Sequence, residues 1–115
     1  MMDAELRDLQ REYLDDVRRT IDDIRAHGRG LAEAGTFKSA FPKLLFLAHQ
    51  LKGSGGSLGF PQISHVAGEM TRQLDLFLDD EQVARPTPEE LSQSLLALSA
   101  ELEREVASAR RTLSS

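Results

Sequence analysis

His49-Gln50-Leu51-Lys52-Gly53-Ser54-Gly55-Gly56-Ser57-Leu58-Gly59 sets a histidine, a lysine and four glycines into an otherwise helical pattern. Four glycines and two serines from Gly53 to Gly59 lower helix propensity, so a helix carrying His49 should fray or end here and the chain should turn near Gly59. Upstream, Phe37, Phe41, Leu44, Leu45, Ala48 and Leu51 recur at helical spacing, with Leu58 beyond them. They predict a helix over 37–55 with Thr36 as N-cap, although Pro42 argues that its regular part starts nearer Ser39, since proline is best tolerated in the first turn. Downstream, Pro61 suits a first turn, and Ile63, Val66, Ala67, Met70, Leu74, Phe77 and Leu78 form a stripe over 61–79.

Further out, Leu6, Leu9, Tyr13, Val17, Ile21 and Ile24 recur every three or four residues between charged positions, which predicts a helix over 3–27. Gly28-Arg29-Gly30 interrupts it, and Gly35-Thr36 opens the next periodic run. After Asp79-Asp80-Glu81 and Pro86, Thr87 as N-cap, Pro88 at N1 and Glu90 at the capping-box position start a helix over 88–111. Leu91, Leu95, Leu98, Leu102, Val106 and Ala109 face inward along it, and Thr112 to Ser115 form a frayed tail. No strand pattern competes. Four stripes on short connections predict an all-α, antiparallel up-down four-helix bundle occupying 1–115 as one domain, because each stripe needs neighbours to leave water. The architectural rival is an open hairpin array completed by dimerisation.

The chain has 115 residues, 40% of them apolar and 29% charged, enough for one core and too few for two enzymatic domains. A formal charge of -5 argues against general nucleic-acid binding. With no cysteine, disulfides and thiolate metal sites are excluded. No apolar run has the length of a membrane span and the N-terminus has no signal-peptide core, so a cytoplasmic location is expected.

On a helix, Lys52 lies about 60 degrees to one side of His49, Gly53 about 40 degrees to the other, and Gly56 near the same direction. Leu44, Ala48 and Leu51 point elsewhere, which leaves the imidazole at the edge of the core with one nitrogen free as a nucleophile. A phosphoryl group on that nitrogen would sit beside the Lys52 charge, and Gly53 would let another protein's phosphoaspartate approach. Ser54 offers a hydroxyl for capping the helix end or for orienting the phosphoryl group. Composition and spacing alone also allow an ordinary surface histidine and a solvated lysine.

The segment His49-Gln50-Leu51-Lys52-Gly53-Ser54, followed by Gly59 and a third helix, resembles the histidine-containing phosphotransfer (HPt) family of multistep two-component phosphorelays. The resemblance extends over the four-helix pattern. It implies that His49 receives a phosphoryl group from a receiver-domain phosphoaspartate or a related kinase donor and passes it to another receiver aspartate. It implies electrostatic support from Lys52, close access at Gly53, and the bend at Gly59. Many relatives hold the ring with a glutamine of the third helix; the matching position here is Thr71, a candidate for orienting the ring, while Gln73 lies about 200 degrees around the helix from Thr71. The partners implied are response-regulator receivers and a sensor or hybrid histidine kinase. This chain would bind no cofactor or metal, and the divalent ion, Mg, would sit in the receiver. It would be a monomeric phosphocarrier without kinase activity of its own, since no P-loop or other ATP module is present.

The partner surface should combine His49 and Lys52 with apolar side chains, for which Phe37, Phe41, Leu9 and Tyr13 are candidates. The continuous fourth helix favours a stand-alone protein over a domain of a hybrid kinase. His27 and His65 read as a helix-end and an exposed residue, without metal-site spacing. Arg18, Arg19 and Arg25 alternate with Asp15, Asp16, Asp22 and Asp23 as a solvated helix face. The alternative function is a noncatalytic helical interaction module, dimeric or not, in which His49 is structural.

Overall fold

A computed structural model describes residues 2–79 and 85–114. It has four helices, α1 (Met2–Gly30), α2 (Phe37–Ser57), α3 (Pro61–Leu78) and α4 (Pro88–Ser114), and no strand among the described residues. Each helix packs on its neighbours in sequence, and α4 closes the ring on α1. The antiparallel α1–α4 seam carries ion pairs between Arg110 and Asp15, 2.6 Å apart, and between Arg25 and Glu103. The arrangement is the expected up-down bundle, with its core closed within one chain.

The inner face of α1 is Leu14, Val17, Ile21 and Ile24, all essentially inaccessible. Leu6 and Leu9, expected on the stripe, are instead 48% and 55% exposed. The reason lies in the lengths of the helices: Gln10 Nε2 donates to Leu58 O at the end of α2, so the residues before Gln10 run past the α2–α3 turn. Leu14 takes the core position, and Tyr13 stacks beside it on Phe60 with ring centroids 5.8 Å apart.

Gly28 and Gly30 do not interrupt α1, which continues three residues past the expected end at 27. They are contact glycines. A Cβ on Gly28 would lie 3.4 Å from Leu96 Cδ2, and Ser92 Oγ donates to Gly28 O at 2.6 Å, so α4 approaches the α1 backbone directly. Thr36 stands at the N-cap position of α2 but does not cap with its side chain: its hydroxyl donates to Gly30 O at 2.6 Å and closes the connection.

Pro42 sits at the sixth residue of α2 without delaying the helix, which starts at Phe37. The bond it cannot make would have gone to Lys38 O; both residues are exposed, so water can serve that carbonyl. The glycine-rich end also stays helical, through Ser57. Gly55 is buried where α3 crosses, and Gly59, at φ +90°, makes the turn in a region open to glycine.

Pro61 is at the start of α3, whose buried side is Ile63, Val66, Ala67, Met70, Thr71 and Leu74. Leu78, expected inside, is 56% exposed at its last turn. Phe77 instead closes the far end of the bundle with Phe37 and Phe41, at centroid separations of 5.1 and 5.7 Å. Asp80 and Glu81 of the expected acidic connection lie outside the described residues. The capping box of α4 forms as read: Thr87 N donates to Glu90 Oε1 (3.0 Å) and Glu90 N to Thr87 Oγ1 (3.1 Å). Beyond 111, where fraying was expected, α4 remains helical to Ser114, and Ser115 lies outside the described residues. No helix among the described residues is long and apolar enough to cross a membrane.

Candidate functional site

The wheel of α2 separates two faces. Leu44, Ala48, Leu51 and Gly55 enter the core, and that fixes the rotation of the helix so that His49, Lys52 and Gly53 are exposed. Among the described residues the His49 side chain has neither a hydrogen bond nor an ion pair, and Lys52 has no carboxylate partner. A Cβ built on Gly53 meets nothing within 4 Å. Gly53 is therefore not required by packing inside the molecule, in contrast to Gly55 two residues later.

Ser54 points to α1. Its Oγ is 2.8 Å from the Tyr13 hydroxyl, and burial raises the Tyr13 pKa while this hydrogen bond opposes the rise. Ser54 lies about 140 degrees around the helix from His49, so its contact braces α1 against α2, and the geometry adds nothing to a role at a phosphoryl group. Thr71 is 5% exposed and its hydroxyl donates to Ala67 O at 3.1 Å. That commits its proton to its own helix and leaves only acceptor capacity. Thr71 does share an open recess with Lys52, Gly68, Arg72 and Asp75, along the α2–α3 seam.

The apolar neighbourhood of the histidine differs from the sequence candidates. Phe41 is buried, Phe37 and Tyr13 are half-buried in aromatic pairs, and Leu9 lies beyond the Gly59 turn. The aromatic side chain that is free is Phe46, 64% exposed. It precedes His49 by three residues, about 60 degrees around the helix, and borders a groove with Asp23, His27, Pro42, Lys43 and Leu47. Its position off the Leu44, Ala48 and Leu51 stripe was the available signal. His27 thus lines this groove, and His65 is exposed beside Glu69. No group of three or more histidine, aspartate or glutamate side chains suited to a metal is found among the described residues.

The site is a solvent-facing imidazole with a cation and an open helix surface beside it. A family model, described as Hpt domain, matches residues 8–111. Neither a curated protein nor a solved structure matches the chain.

Proposed function

The chain belongs to the Hpt domain family and has a phosphorelay role, and on that premise we propose that His49 is the residue that carries the phosphoryl group. The observation that supports this most is the pairing of an exposed, unpartnered His49 with open space over Gly53. Family members are phosphocarriers, working with receiver and histidine-kinase domains, and not ATP-dependent kinases.

In the proposed step, the Nε2 lone pair of neutral His49 attacks the phosphorus of a receiver phosphoaspartate. The N–P bond forms as the acyl-phosphate O–P bond breaks, and the electron pair returns to the aspartate carboxylate. The proton on Nδ1 stays with the ring. Donation to a second receiver is the same displacement in reverse. The receiver contributes its divalent ion, Mg, and its own cation to the phosphoryl oxygens. This chain contributes a rigid helix for in-line attack, the Lys52 ammonium for the charge on the carried group, and clearance at Gly53. Phe46 supplies apolar area for the receiver to cover next to the reacting atoms. Ring orientation falls to water or to a residue of the partner, since neither Thr71 nor any other described residue holds the imidazole through a hydrogen bond.

The test is acid-labile label transfer from phosphorylated receiver domains to the purified chain, with His49→Gln and Gly53→Leu alongside. Label should map to His49, vanish in the folded His49→Gln protein, and form much more slowly in Gly53→Leu at unchanged helicity. Label that persists in His49→Gln refutes the assignment. Absence of label from a broad receiver panel favours the noncatalytic interaction module.

A further inference from the structure

Lys52 is held from α3 at two points. Ser64 Oγ donates to Lys52 O at 2.6 Å, which fixes the backbone at that residue. One turn further along α3, the place a Cβ would take on Gly68 lies 3.8 Å from Lys52 Cε and 3.9 Å from Cδ. The aliphatic stem of Lys52 therefore passes over α3 at Gly68, where a methyl would just touch it and a larger side chain would displace it. A helical side chain leans toward the N-terminus of its own helix, so this stem leans from Lys52 toward His49. No described carboxylate holds the ammonium at its tip, and Arg72, on the same recess, is engaged with Glu69 through Nε (3.2 Å) and Nη2 (2.9 Å).

We propose that Gly68 is a positioning residue for phosphoryl transfer: the absence of any side chain larger than a methyl there gives the Lys52 stem a seat on α3, which keeps the ammonium in the α2–α3 seam on the histidine side. The inference rests on His49 being the phosphoryl carrier. A flexible lysine loses up to about 2 kcal/mol of rotamer entropy on being held, and a seat that removes part of this freedom before docking lowers what must be lost in the complex. The size limit follows from the distances. An alanine Cβ at 3.8 Å makes ordinary van der Waals contact and supports the stem. A leucine carries its branch about 1.5 Å further out, into the volume the stem occupies, and the lysine must leave.

The experiment compares initial rates of His49 labelling by a phosphorylated receiver domain for five proteins: wild type, Gly68→Ala, Gly68→Leu, Lys52→Ala and the Lys52→Ala/Gly68→Leu double variant. Helicity and thermal unfolding are recorded for each. Gly68→Ala should stay within about twofold of wild type, while Gly68→Leu should slow labelling about fivefold or more. In the Lys52→Ala background the same leucine should change the rate by less than about twofold, because the residue it acts through is gone. Equal slowing in both backgrounds, or no slowing in either, overturns the proposal and leaves His49 as carrier intact. Wild-type protein that takes no label overturns both. Independently of labelling, an NMR cross-peak between the Lys52 Hδ or Hε protons and Gly68 Hα is expected in the wild type and its absence refutes the seat.

Discussion

Gly53 and Gly55 are separated by one residue of the same helix, yet alanine should move stability in opposite directions at the two. At Gly53 a Cβ meets nothing within 4 Å, so Gly53→Ala gains the helix propensity of alanine, about 0.5–1 kcal/mol. At Gly55 the new carbon would stand 2.9 Å from Ser64 N and 3.3 Å from both Phe60 O and Ile63 Cγ2. Two of those atoms are backbone at the start of α3, where Ser64 N bonds to Phe60 O, so relief requires moving a helix and not a rotamer. Overpacking of that kind costs about 1–3 kcal/mol, and the same propensity gain offsets up to about 1 of it. Gly55→Ala should therefore be destabilised by about 1 kcal/mol, and the two variants should differ by about 2. For 115 residues the unfolding entropy is about 0.24 kcal/mol/K, which makes 1 kcal/mol worth about 4 °C and separates the variants by about 8 °C. Thermal unfolding followed by circular dichroism, with urea unfolding for the free energy, measures both. A Gly55→Ala protein that melts at or above wild type would refute the close α2–α3 approach. A Gly53→Ala protein that melts below wild type would refute the open face.

Two further outcomes follow from the α4 start and the α1–α4 seam. Thr87→Ala removes one half of the reciprocal capping box and should cost about 1 kcal/mol, near 4 °C in melting temperature, with His49 labelling unchanged; an unchanged melting temperature would show that the box adds nothing to the helix start. Asp15 and Glu103 are both held below the ordinary carboxylate range, first by hydrogen bonds from Arg110 and Arg25 and then by arginine charge. A lowered folded pKa means that the unfolded chain binds the proton more readily, so this stabilisation is complete above the ordinary carboxylate range and is lost as pH falls through the lowered values. The acid-side decline in urea midpoint should therefore be shallower in Asp15→Asn/Glu103→Gln than in wild type, while an identical decline would assign acid sensitivity to other groups.

How much of this was legible in the sequence depended on whether the signal was local. The capping box of α4 is a contact between residues three apart, so Thr87 and Glu90 specified it without reference to the rest of the chain. The His49, Lys52 and Gly53 face was legible for the same reason: helical spacing alone sets their relative directions. What lies across from them was not. Whether Leu6 and Leu9 are buried depends on where α2 ends, and the Gln10 contact with Leu58 O spans 48 residues. Whether Thr36 caps α2 depends on a competing carbonyl at Gly30.

The glycines make the limit plain. One letter in the sequence stands for four physical situations: a backbone approached by α4 at Gly28, a clear surface at Gly53, a helix crossing at Gly55 and a left-handed turn at Gly59. Propensity assigns all four the same tendency to break a helix, and α1 and α2 run through the first three regardless. Packing overrides a penalty of about 1 kcal/mol per residue where the missing side chain lets another helix pack against the backbone, as at Gly28 and Gly55. Gly53 is the exception, because nothing inside the molecule uses its missing side chain. A glycine that weakens its helix without serving the fold is what the proposed approach of a receiver to His49 would call for.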